Sequence, residues 1–154
     1  MARHAATISW QRGDSPFVDG DYSRAHVWSF DGGLDVPASA SPHIVPLPHA
    51  IAENLDPEEA YVASLSSCHM LFFLSIAARN GIVVDRYRDA AVGFLDRDSE
   101  GKLAMTRVIL RPEASYSGKN VPNAQQIENI HHQAHEKCFI ANSVKTRVVT
   151  EIVS

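Results

Sequence analysis

Near its start the chain alternates apolar and polar residues with the two-residue period of half-buried strands. Between His4 and Arg12, Ile8 and Trp10 alternate with polar neighbours, and the same pattern returns in "RAHVWSF", Arg24 to Phe30. The segment "RGDSPFVDGDYS" between them is rich in turn residues, and "DGG" at Asp31 to Gly33 predicts a hairpin into Leu34 to Val36. Pro37 to Asp56 then carries prolines at 42, 46 and 48, which forbid a long helix and predict a connecting loop. Asp56, Pro57, Glu58 and Glu59 form a helix start: a capping carboxylate, proline at the first helical position, then acidic side chains at the positive end of the macrodipole. The matching stop is Asn80-Gly81. Beyond it, two β-like runs joined near "DSEGK" predict a longer hairpin, Asn123 to Cys138 a second helix with Ile127, Ile130 and Ala134 at helical spacing, and "VKTRVVTEIV" a closing strand. Strands joined by hairpins, with two helices between them, predict an α+β fold with largely antiparallel sheets.

A length of 154 residues suits one compact domain, 1–154, with a core that needs no staples. The formal charge of −4 gives no electrostatic reason to bind a phosphate backbone or an anionic membrane, so neither nucleic acid nor membrane is an expected partner. The N-terminal "MARHAATISWQRGD" lacks the apolar region and cleavage site of a secretory signal, and a cytoplasmic location is expected. The most apolar window, Ala60 to Ala77, contains Ser64, Ser66, Ser67, His69 and Ser75, and is expected to be a core helix rather than a membrane span. No phosphate-binding loop, dinucleotide fingerprint or G-x-S-x-G elbow is present.

The candidate chemistry lies in two cysteines, Cys68 and Cys138. In a reducing cytosol such a pair points to reactivity or metal binding rather than to a permanent brace. The reactive form is the thiolate, and Cys68 stands about three turns into its helix, where the dipole has faded. An external cation is needed, and a guanidinium suits because it stays charged where water is scarce. Arg12, Arg24, Arg86, Arg88, Arg107 and Arg111 are all open candidates by this logic. His69, next along the helix, points roughly 100° away from the sulfur. His131, His135 and Cys138 have a spacing that could hold zinc together with Cys68, although "HHQAHEKC" also suits a solvated helix face.

"DPEEAYVASLSSCHM" and "AHEKCFIANS" together resemble the family of organic hydroperoxide resistance protein and osmotically inducible protein C (Ohr/OsmC), and the resemblance runs over nearly the whole chain. It implies an OsmC-like α+β fold, with antiparallel sheets around a long central helix that carries the first cysteine, in an intertwined homodimer. The implied activity is a thiol peroxidase that reduces organic hydroperoxides to alcohols without a cofactor or metal and is recycled by a dithiol reductant such as a lipoylated protein. Carried over by position, the resemblance makes Cys68 the peroxidatic cysteine, Cys138 the resolving one, Arg24 the activating arginine and Glu58 its glutamate. The organic hydroperoxide branch usually follows its second cysteine with proline and an aromatic residue, whereas Phe139 and Ile140 follow Cys138 here. Leu65, Phe72, Phe73, Trp28 and Phe139 are candidates for an apolar entrance that would favour alkyl or lipid peroxides. The alternative is a non-catalytic or zinc-binding dimer of the same fold.

Overall fold

The computed structural model describes residues Met1–Ser154 and has an α+β fold of eight strands and two α-helices. By its contacts the chain divides into two compact units, Met1–Ala60 and Tyr61–Ser154.

The first unit holds β1 (Ala6–Ser9), β2 (His26–Phe30) and β3 (Asp35–Ala38) as an antiparallel sheet in that order, with Ile8 opposite Trp28 and Trp28 opposite Val36. The expected ribbon is therefore present, but its strands are shorter than the alternation suggested, and Arg24 lies just before β2 rather than in it. At the "DGG" turn, Gly33 takes φ +90°, a region open to glycine at no steric cost, and its N–H donates to Phe30 O at 3.0 Å. The proline-rich stretch is a succession of turns, fastened where Ser39 Oγ accepts from Ile51 N–H at 2.9 Å.

Helix α1 runs Pro57–Arg79. Its start is a capping box: Asp56 Oδ1 accepts from Glu59 N–H at 2.7 Å, and Glu59 Oε2 accepts from Asp56 N–H at 3.2 Å. Its end is a Schellman arrangement in which Ile82 N–H donates to Ala77 O and Gly81 N–H to Ala78 O, both at 3.0 Å, with Gly81 at φ +70°. Both boundaries follow the sequence signals closely, because each is a local hydrogen-bonding problem with a local answer.

The stretch after α1 is more divided than its sequence suggested. It holds four strands, β4 (Val83–Asp89), β5 (Val92–Arg97), β6 (Leu103–Leu110) and β7 (Pro112–Ser117). The hairpin at "DSEGK" joins β5 to β6, while β4 pairs with β7 across it as a separate two-stranded ribbon. Asp89 governs the breaks. Its carboxylate accepts from Arg111 N–H at 2.6 Å and from Ser66 Oγ–H at 2.5 Å, tying both corners to α1. Helix α2 (Ala124–Lys137) has Asn123 as N-cap in a capping box with Gln126. A 3₁₀ turn, Ala141–Ser143, leads to β8 (Arg147–Thr150), which joins β6 in parallel, the one parallel pair among these strands.

Two buried clusters hold the second unit. Phe73, Ile76, Ala77 and Ile82 meet Ile130 and Ala134 of α2, and Leu65 meets Val108 and Leu110 of β6. Leu65 and Phe73 are wholly buried, so neither lines an entrance, and Phe73 takes the core position that is the commoner one for such an aromatic. His131 also departs from expectation: it faces the interior, and its Nδ1 is hydrogen-bonded to His69 Nε2 at 2.9 Å. The two rings lie nearly parallel, and Phe73 stacks on His131 with centroids 4.3 Å apart. Burial pushes the pKa of both rings down to about 4; for His69 the charge of His135 adds to this and Asp89 opposes it, and for His131 the charge of His69 adds. Between pH 6.5 and about 4 the unfolded chain therefore holds more protons than the folded one. The contribution of this pair to stability is complete above pH 6.5 and is lost as pH falls through that window. Urea midpoints measured at constant ionic strength should fall across this range, and the slope should flatten in His69→Gln. Truncation of Leu65→Ala should cost about 2–5 kcal/mol in the same assay, the price of a cavity in a core that closes only partly.

Candidate active site

Two elements bring the cysteines together. Cys68 lies in the middle of α1 and is half-buried; Cys138 caps the C-terminus of α2 and is buried, and both are free thiols. The two thiols are close enough that Cys68 helps to raise the pKa of Cys138. Around Cys138 the "CFIANS" stretch wraps into a tight structure. Ala141 N–H donates to Cys138 Sγ at 3.4 Å, Asn142 N–H to Cys138 O at 3.0 Å, and Ser143 Oγ–H to Phe139 O at 2.7 Å. Phe139 lies edge-on to Phe72 of α1, centroids 5.0 Å apart, and remains largely exposed. Phe139 thus supplies an aromatic contact to α1 next to Cys138.

The electrostatics of Cys138 are those of a thiol that keeps its proton. Burial pushes its pKa up to about 11, helped by the neighbouring Cys68, while the backbone amides of Ala141 and Ile140 act in the opposite direction and are outweighed.

The other two predicted residues belong to the first unit. Arg24 donates from Nη1 to Gly20 O at 2.8 Å and to Tyr22 O, and its guanidinium lies over the Tyr22 ring, 3.6 Å from the centroid. Its backbone N–H donates to His49 O at 2.8 Å. Tyr22 itself stacks on Phe17 and meets Trp10 edge-on, so the arginine borders an aromatic recess of about 410 Å³ also lined by His26 and Pro57. Glu58, in the first turn of α1, has Oε2 buried without a hydrogen-bond partner. No ion pair joins it to Arg24. Along α1, the ten residues from Glu58 to Cys68 amount to about 15 Å. Trp28 donates from Nε1 to His26 Nε2 at 3.0 Å, a link within β2.

The zinc alternative finds no cage. No three His, Cys, Asp or Glu side chains converge as metal ligands, and His131 Nδ1 is taken by His69. The buried imidazole pair is the feature that sequence reasoning missed. Its signal was the placement of His131, Ala134 and Cys138 at intervals of three and four, which puts them on one helix face with Ile130 beside them.

A family model described as OsmC-like protein matches residues 51–153. No curated protein matches the chain. Among solved structures, an OsmC-like protein of unknown function from Vibrio cholerae O1 biovar eltor is 57% identical with a TM-score of 0.98, over 99% of this chain and 100% of that one. An organic hydroperoxide resistance protein from Elizabethkingia anophelis shares the fold at 16% identity and a TM-score of 0.68, over 99% and 94%. The OsmC like protein from Mycoplasma pneumoniae does so at 12% and 0.73, over 99% and 96%. With more than half of its length matched by the family model, and a full-length relative at 57% identity, the chain belongs to the OsmC-like family.

Proposed function

We propose that this protein is a cysteine-based peroxidase that reduces organic hydroperoxides to alcohols. The observation that carries the reading is the neighbouring pair of free thiols, one half-buried and one buried, supplied by two different helices. Membership in a family with organic hydroperoxide resistance proteins among its folds supports it.

In the proposed cycle the Cys68 thiolate attacks one peroxide oxygen, the O–O bond breaks, and the alkoxide leaves as alcohol after taking a proton; Cys68 becomes a sulfenic acid. Cys138 then attacks the sulfenic sulfur, its thiol proton passes to the departing hydroxide, and water and a Cys68–Cys138 disulfide result. Burial keeps the Cys138 thiol protonated at neutral pH, so it must give up that proton as it attacks, and the departing hydroxide accepts it. Two electrons pass from the thiols to the peroxide, and a dithiol reductant, for which a lipoylated protein is the class the family resemblance suggests, returns them.

Arg24 is assigned to holding Cys68 as thiolate and orienting the peroxide, with Glu58 fixing the guanidinium. Only Nη1 of Arg24 is engaged by its own chain, and one oxygen of Glu58 is buried unpaired, so both retain bonding capacity for such a role. An intertwined homodimer is proposed with it. Only 28% of the most apolar window of α1 is buried in a single chain, and Leu71 on that helix is exposed, which supports a partner over this surface. A cytoplasmic location accords with a reaction that needs reduced thiols.

One equivalent of tert-butyl hydroperoxide should remove two thiols from the wild type and none quickly from Cys68→Ser, while Cys138→Ser should lose one and retain a sulfenic acid that dimedone traps. Thiol titration with mass spectrometry reads all three, and unchanged thiol counts in the wild type would sink the proposal. Arg24→Ala should lower the rate of the first thiol loss by about 100-fold or more, in line with removal of one preorganised charged donor. Sedimentation should give a dimer mass.

A further inference from the structure

Helices α1 and α2 meet through two kinds of contact. Ile76 and Ala77 pack with Ile130 and Ala134, and Phe72 with Phe139. Such contacts hold helices at a set distance, but they are non-directional and tolerate sliding. The bond between His69 Nε2 and His131 Nδ1 is directional and buried, with Phe73 stacked against the second ring. As packing it is a poor choice, because His69 Nδ1 is buried with no partner, and two apolar side chains of the same volume would leave nothing unsatisfied. Its position gives it a use. His69 adjoins Cys68, and His131 precedes Cys138 by seven residues, two helical turns on the same face. A disulfide needs its sulfurs about 2.05 Å apart and its Cα atoms within about 7 Å, so a small slip of one helix along the other prevents closure.

We propose that the hydrogen bond between His69 and His131 is a positioning device that fixes the register of α2 against α1 and thereby brings Cys138 onto Cys68 for disulfide closure. The proposal rests on the peroxidase reading for its place in turnover, but the geometric claim stands without it. His69 and His131 are positioning residues and touch no reacting atom. Attack of Cys68 on a peroxide does not involve α2, whereas closure does, so the two steps should separate.

The imidazole nitrogens used suggest the variants. An amide from Asn at 131 replaces Nδ1, and one from Gln at 69 replaces Nε2. Oxidised with tert-butyl hydroperoxide at pH 7, His131→Leu should lose its first thiol within twofold of the wild-type rate, close the disulfide at least tenfold more slowly, and yield more dimedone-trapped sulfenic acid. His131→Asn should recover closure to within about threefold. If His131→Leu does not fold, His69→Asn, whose shorter amide does not reach His131, is compared with His69→Gln in its place. Equal slowing of both steps, or no recovery in the amide variants, overturns the device. The same variants are also oxidised with diamide, which forms an adduct at one thiol and is displaced as the hydrazine by the second. If the wild type ignores the hydroperoxide yet closes with diamide, the peroxidase reading fails, and the order of closure rates among the variants still decides whether the histidine bond sets the register.

Discussion

The second unit is organised by the requirement that the middle of one helix meet the end of another. A cysteine deep in α1 has neither helix terminus near it, so its reactivity depends on what other elements bring to it. What α2 brings is a second sulfur, and the rest of the unit fixes its approach. The α2 capping box sets where that helix begins, Ile130, His131 and Ala134 turn one face to α1, and the 3₁₀ turn after Cys138 holds the sulfur with a backbone N–H. Asp89 does comparable work on the other side, joining a corner of the β4–β7 ribbon to Ser66 of α1 and to the backbone at Arg111. The sulfur pair is thus held where polar and apolar constraints on the two helices coincide.

Burial has opposite consequences for the groups it covers. It keeps the thiol of Cys138 protonated and the imidazoles of His69 and His131 neutral, so the space between α1 and α2 carries little charge at neutral pH. An uncharged interior lets two helices pack closely. It also means that no histidine of this pair can serve as the cation a thiolate needs, since a ring held neutral offers a dipole and no charge. The requirement for a guanidinium, argued first from the position of Cys68 along its helix, is therefore stronger once the imidazoles are seen to be neutral.

Legibility in the sequence followed the range of the interactions. The limits of α1 were readable because Asp56, Glu59 and Gly81 solve end-group problems within a few residues. The start of α2 at Asn123, the "DGG" turn and the β5–β6 hairpin were legible for the same reason. Distant partners were not. The pairing of β4 with β7, the parallel approach of β8 to β6 and the division of each of the two β-like runs, after Asp89 and at Arg111, depend on contacts that no local pattern announces. Among site residues, the two cysteines were identified by type and by family resemblance, and their meeting depends on helix packing. His131 was misread as part of a solvated face because a histidine-rich run looks polar by composition, although its spacing with Ala134 already placed it on the inward stripe.

Glu58 is the one carboxylate with a buried oxygen that finds no donor in its own chain. A carboxyl oxygen removed from water without a donor is costly, as Glu58 Oε2 is here. The capping role at this helix start is already filled by Asp56 and Glu59, so Glu58 is not needed for the helix itself. Its distance along α1 from Cys68 keeps it away from the sulfur of its own helix. A group that is costly where it stands, unnecessary to its helix and out of reach of its own thiol calls for a donor that one chain does not supply to it. That unpaired oxygen and the uncovered apolar surface of α1 are the two features of the single chain for which the proposed dimer would account.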